Sequence, residues 1–325
     1  MTKFEKTSRR SLAPFVAALL LTLAILFATA GCVDNPTEAE DFEPLPVLYS
    51  FIQNDAAVDT VTLEWTAAYN VYYDRSLLGI QDAEIIMYPT HNASGDPVDT
   101  TGRPELVIQF EAASGHEIYG KYVPVNDGYQ QPQCLWTYRM EARKPDEGVN
   151  LWAETTVPDT FSYYTTHKSD PLSIPFNVDG DTLTREDDEI YINWTESETA
   201  RGYILGIIAE TPRDELVPLD PEWDPNDPDD ELEDYERGRH NWTIARYDQR
   251  TMTIAWIFFQ WSGWNQMYIS AASESYYEYM FSLMRQGDPS LKQNPTFNVN
   301  GGIGVFGAYS THEFRIMLER VETGP

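Results

Sequence analysis

The sequence predicts a mainly β protein of two β-sandwich-like domains, with one short helix near the C-terminus. Three observations predict it. Short runs alternate apolar and polar residues with a period of two. Turn-forming stretches separate these runs every ten or so residues, the spacing of sandwich strands. One segment near residue 280 has helical spacing instead.

Before the first of these runs lies a different kind of segment. Lys3, Lys6, Arg9 and Arg10 precede an uncharged, mostly apolar run, Phe15 to Ala30. This is the layout of a secretory signal. The run is shorter than the ~20 residues that a spanning helix needs. Thr29-Ala30-Gly31-Cys32 follows, and small residues directly before a Cys resemble the lipobox of bacterial lipoproteins, with Thr29 where Leu is usual. The resemblance implies cleavage after residue 31, acylation at Cys32, and stable anchoring through two or more acyl chains. Val33, in place of an Asp after the Cys, favours the outer membrane. Residues 32–46 are acidic and Pro-rich, and read as a tether that holds the folded part off the bilayer. The other cysteine, Cys134, then has no intramolecular disulfide partner and reads as a half-buried residue at a strand edge.

The first domain is expected over 47–158. Val61, Leu63 and Trp65 alternate with polar residues; 83–88 and 106–110 are further strand-like runs. Trp136, Tyr138, Met140 and Ala142 alternate, as do Val149, Leu151, Ala153, Thr155 and Val157, around a Pro145-Asp146-Glu147-Gly148 turn. That pair is a hairpin. The second domain, 159–325, begins its strands at Ile190, Ile192 and Trp194. A strand ending in Trp194, a polar turn, then Ala200-x-x-Tyr203 resembles immunoglobulin-like and fibronectin type III sandwiches, which implies that Trp and Tyr share one core. An insertion at 219–239, dense in Pro and acid, excludes a regular element. Strand-like composition returns at 242–246 and 251–261. The helix is expected over 274–286, with Ser273 or Ser275 as N-cap. GGIGVFGAYS (301–310) reads as a tight glycine loop with Phe306 in the core, and a final strand starts at Glu313.

Several landmarks stand in one order: the acidic post-Cys tether, the hairpin at 138–161, ISAASESYYEYMFSLMRQ (269–286) and NPTFNVNGGIGVFGAYS (294–310). In this the chain resembles the envelope lipoproteins called domain of unknown function 4249, in which a Tyr-rich helix precedes a segment close to N-x-x-GG-x-G-x-F-G-A. The insertion at 219–239 and the loose spacing through 160–190 depart from that pattern. The family supplies no catalytic residues. The resemblance implies companionship with TonB-dependent outer-membrane transport systems.

Composition narrows the function classes. Of 325 residues, 52 are Asp or Glu and 22 are Lys or Arg, for a net charge of −30. Phosphate contacts need clustered cations, so nucleic acid is excluded as a partner. Hydrophobic content of 42% is too high for a disordered acidic chain. Gly302 to Gly307 matches G-x-G-x-x-G, but no βαβ unit surrounds it, so no dinucleotide is expected. The five histidines lie too far apart for zinc-ligand spacing, and neither G-x-S-x-G nor H-E-x-x-H occurs. No cofactor is expected beyond a candidate calcium site. Asp224, Asn226, Asp227, Asp229 and Asp230 offer hard oxygen ligands for Ca²⁺, although Pro225 and Pro228 interrupt the loop and no mid-loop Gly is present. Trp261 and Trp264, flanking Ser262-Gly263, are candidate contacts for a ligand or partner protein. The leading expectation is a non-enzymatic, outer-membrane-anchored binding or accessory lipoprotein. A secreted-side hydrolase and a structural or adhesive envelope module are the alternatives.

Overall fold

Residues 42–68, 74–113, 119–125, 131–166, 182–184, 190–212, 215, 217–219, 240–254, 258–286 and 295–320 are described by the structure, a computed structural model. The fold class is as the alternation predicts: mainly β, with a large mixed sheet, a small sheet and one helix near the C-terminus. The first strands are β1 (Pro46–Gln53), β2 (Val61–Trp65), β3 (Glu84–His91), β4 (Ile108–Ala112) and β5 (Lys121–Pro124), with a one-turn helix α1 (Arg75–Leu78). The expected hairpin follows as β6 (Thr137–Lys144) and β7 (Val149–Thr156). Its turn is the 3-10 segment Pro145–Glu147, and Gly148 takes the left-handed conformation that lets the chain reverse (φ 74°). Next come β8 (Tyr163–Thr166), β9 (Thr182–Thr184), β10 (Ile190–Trp194), β11 (Gly202–Ala209), β12 (His240–Arg246), β13 (Thr251–Ile254) and β14 (Gly263–Ala272). Helix α2 (Glu274–Gln286) and the 17-residue strand β15 (Ile303–Glu319) complete the order.

The large sheet runs β12-β11-β14-β15-β1-β2-β5-β4-β3-β6-β7, with β9 also on β15; the small one runs β13-β10-β8. Pairing is antiparallel except where β15 meets β1 and β9. Strands from both sides of residue 158 therefore share hydrogen bonds, within one compact unit spanning Pro44–Pro325. They pack two main cores, beside smaller clusters around Tyr277 and Trp261. Leu48, Leu63, Ile85, Met87, Met140 and Leu151 belong to the first. Ile192, Trp194, Tyr203, Leu205 and Ile269 belong to the second. Strand β15 feeds both, with Phe306 in the first core and Phe314, Ile316 and Leu318 in the second. Each such buried side chain contributes about 1.5–3 kcal/mol relative to exposure.

Trp194 and Tyr203 do share one core, with ring centroids 5.3 Å apart. The Tyr203 hydroxyl accepts the Ser197 N–H at 2.9 Å. Tyr138 does the same for the Gln133 N–H at 3.0 Å, so a buried tyrosine pins the preceding turn in each half.

Two segments differ from the sequence reading. Within the run expected over 251–261, Thr251–Ile254 is strand, 255–257 lie outside the described residues, 258–260 are not strand, and regular pairing resumes at Gly263. The inward positions of β14 open with Asn265, a polar residue that masks the alternation. Its buried amide donates to the carbonyls of Trp261 and Gly263. The glycine segment is strand rather than loop from Ile303 onward, paired in parallel with β1. Gly304 has φ +120°, and a Cβ on it would overlap the Leu48 carbonyl. The expected close packing and the burial of Phe306 both hold.

Gly304→Ala is expected to lose about 3 kcal/mol or more, because both dihedral strain and backbone overlap oppose it. Gly95 has φ +78° with open space around it, so Gly95→Ala should cost only about 1 kcal/mol. Urea denaturation of the two variants checks the contrast.

Candidate functional site

The start of α2 organises the surface where the two halves meet. Ser273 is the N-cap: its hydroxyl accepts the Tyr276 N–H, and its carbonyl accepts the Tyr277 N–H at 2.9 Å. The same hydroxyl accepts the Ala308 N–H of β15 at 3.0 Å. Thr155 of β7 donates to Ser273 at 3.2 Å and lies 3.1 Å from the Ser275 hydroxyl, which donates to the Phe306 carbonyl at 2.9 Å. Asn298 completes the knot. Its amide donates to the Phe306 carbonyl and accepts the Phe306 N–H, both at 2.9 Å, and also donates to the Glu154 carbonyl at 3.1 Å. One side chain thus does the work of a neighbouring strand on β15 while gripping β7. Asn300 pairs its backbone with Trp152 beside it.

Above this knot opens a cleft of ≈ 710 Å³. Its floor is Thr155, Ser273, Ser275 and Asn298, all held by the bonds just described. One wall carries Thr137, Glu154 and Thr156 from the hairpin; the other carries Glu274 and Glu278 from α2. Thr199 and Thr296 complete the lining. The nearby cations are engaged: Arg139 lies 3.5 Å from Glu154, and Arg201 lies 3.1 Å from Glu278.

The outer face of the hairpin continues this surface. Arg139 stacks 4.1 Å from the Trp152 ring centroid and bonds Glu141 at 2.9 Å. Arg143 also pairs with Glu141, and the Tyr88 hydroxyl donates to it at 2.7 Å. Burial alone would raise the Glu141 carboxyl, but Tyr88 and the two guanidiniums outweigh it and hold the group below its ordinary value. Burial and the bond to Glu141 push Tyr88 up to about 12, so the phenol remains the donor.

The other sequence-predicted residues fall elsewhere. Trp261 is 1% exposed beside Ala209, so of the two tryptophans only Trp264 reaches the surface. Trp264 is 37% exposed, with the Arg315 guanidinium 4.6 Å from its ring and Arg315 itself bonded to Glu210. Neither tryptophan lines the cleft. Cys134 is half-buried, and burial together with Asp55 and Asp159 raises its thiol, which therefore stays protonated. Cys32 and the candidate calcium ligands Asp224, Asn226, Asp227, Asp229 and Asp230 lie outside the described residues. Among the described residues, no group of three or more His, Cys, Asp or Glu is placed to hold a metal ion.

The fold and its polar junction make this a β-rich protein in which the Asn298-x-x-Gly301-Gly302 strap and the Ser273-capped, Tyr-rich helix lock a long shared strand. The family described as Domain of unknown function (DUF4249) matches residues 34–315, and the chain belongs to it. No curated protein matches the chain at a significant level. The landmarks that carry the resemblance, Ser273-x-Ser275 and Asn298 before Gly301-Gly302, are the ones that build the cleft floor. The sequence reading places none of the lining residues in a site; it offers Ser273 and Ser275 only as N-caps and Asn298 only within a family landmark. Nothing in the local pattern of Thr137, Glu154, Thr156, Thr199 and Thr296 separates them from other exposed strand and turn residues.

Asn298→Ala leaves the Phe306 N–H and C=O without their side-chain partner and is expected to cost about 2–3 kcal/mol. Faster hydrogen exchange at Phe306 is the local signature. The lowered Glu141 value means that its contribution is complete above the ordinary 4.5 and is lost as pH falls through the lower native-state value. The stability gap between wild type and Glu141→Gln should therefore be widest near neutral pH and close under acid. Urea titrations at pH 7 and pH 3 test this.

Proposed function

We propose that this protein is an outer-membrane lipoprotein, anchored through acyl chains on Cys32, whose folded part is a non-enzymatic binding or accessory module serving a TonB-dependent transport system. The observation that carries the binding role is the cleft at the head of α2. Its floor hydroxyls and amide are fixed by bonds to the backbone of β15, while its walls present further hydrogen-bonding groups. A site ordered before its ligand arrives loses less freedom on binding. The apolar run ending in Ala30-Gly31-Cys32 supports the anchor. The acidic tether supports a module held off an anionic bilayer, since like charges repel. The transport partnership follows from the family resemblance.

Cys32→Ala is expected to abolish palmitate labelling, leave the precursor uncleaved and remove the protein from the outer-membrane fraction. Wild type purified from detergent-solubilised envelopes should bring a TonB-dependent receptor with it; a soluble, unlipidated and partnerless wild type would refute the reading. A hydrolase acting on polysaccharide or peptide is the second reading, favoured by the carboxylates of Glu154, Glu274 and Glu278 on one cleft. Release of reducing ends or free amines by the purified protein would decide for it.

A further inference from the structure

We infer that the cleft at the head of α2 is a saccharide site, selective for neutral, hydroxyl-rich oligosaccharides; this rests on the binding role proposed above. The inventory of groups in the cleft leads there. Its volume of ≈ 710 Å³ lies in the range of small-molecule sites. Such sites are usually lined by apolar residues; every residue lining this one is polar, although its aliphatic carbons supply much of the exposed surface. An apolar ligand would cover the wall carboxylates and hydroxyls that lack internal partners without offering a bond in return, a cost of about 1–3 kcal/mol for each group so buried.

Charge removes a second class. Three carboxylates stand on the walls, and the adjacent Arg139 and Arg201 are already committed to two of them. The whole chain carries −30. An anionic ligand would meet repulsion at long and short range. What remains is a ligand that donates hydrogen bonds.

Two features favour sugar hydroxyls over a cationic head as the donors. First, acceptors and two-way groups are interspersed. Glu274 has no internal partner among the described residues. Both Arg201 bonds to Glu278 go to Oε1, leaving Oε2, and the Thr296 side chain has no internal bond among the described residues. A sugar hydroxyl can donate to a carboxylate and at the same time accept from a threonine, which an ammonium group cannot do. Second, Trp152 and Glu154 project from the same face of β7, two residues apart, with Arg139 reaching both. The ring lies beside the cleft lining with Arg139 over one face, and with the carboxylate it forms an amphipathic border. It matches the alternating C–H faces and hydroxyl edges of a pyranose chain.

The test uses the full-length, lipid-bearing protein in detergent micelles, with isothermal titration calorimetry. The probes are maltohexaose, cellohexaose and mannohexaose, set against hexagalacturonate and the fully deacetylated amine chitohexaose. Saturable heat is expected with at least one neutral hexasaccharide and none with hexagalacturonate. Glu274→Ala and Thr296→Val, whose side chains make no bond within the frame, should each weaken binding by roughly tenfold, with an unchanged melting temperature for Thr296→Val and only a small fall for Glu274→Ala, which also loses its interaction with the α2 dipole. No heat with any neutral probe overturns the inference, as does affinity unmoved in both variants. Preference for the amine hexamer also overturns it and reassigns the cleft to cationic ligands. Either result, with outer-membrane fractionation and receptor co-purification intact, leaves the parent reading standing. Loss of fractionation and partner with sugar binding retained would fail the parent reading alone.

Discussion

The contact between the Gly304 backbone and the Leu48 carbonyl sets the terms for everything around it. Only a residue without Cβ can occupy that spot at φ +120°, and only with it there can β15 run parallel to β1 from Ile303 to Tyr309. Beyond Tyr309 the same strand pairs with β14 up to Leu318. One strand therefore closes the first core with Phe306 and completes the second with Phe314, Ile316 and Leu318. The two cores are distinct in their side chains but continuous in their backbone.

The cleft is a by-product of that continuity. Where β15 passes from one core to the other, β7 and the head of α2 come together without a regular ladder between them. Backbone groups at Phe306 and Ala308 would be left unpaired there, which a folded protein tolerates poorly. Ser273, Ser275 and Asn298 fill the gap with side-chain bonds. A depression floored by small polar residues follows, because bulky apolar residues could not make those bonds. Binding capacity and structural repair thus share the same side chains.

Much of the framework was legible in the order of residues. Period-two alternation found β2, the β6–β7 hairpin and β10, since the inward set in each is apolar but for Thr155 near the end of β7, and β11 was found as a nearly continuous apolar run. Helix α2 was legible because its capping serine and its tyrosine spacing agree. The failures have a common cause. Asn265 stands inward in β14, and glycines stand where β15 meets β1, so tertiary contact overrode the local signal in both. The cleft was not legible as a site. Its floor residues sit in motifs that announce themselves, whereas Glu154 and Thr137 became wall residues only through a pairing more than a hundred positions away from α2. Aromatic crowding was a misleading cue at Trp261, whose ring lies inside.

The pairing of residues 47–53 with 303–309 also has a kinetic meaning. A loop of about 250 residues must close before β1 gains its parallel neighbour, and the entropy of that closure is lost before any contact rewards it. Until β15 arrives, the first core lacks Phe306 and β1 has an open edge, the kind of edge on which foreign strands can build. The chain is therefore committed late, by one of its most C-terminal strands, and its slowest folding step and its greatest exposure to misassembly coincide.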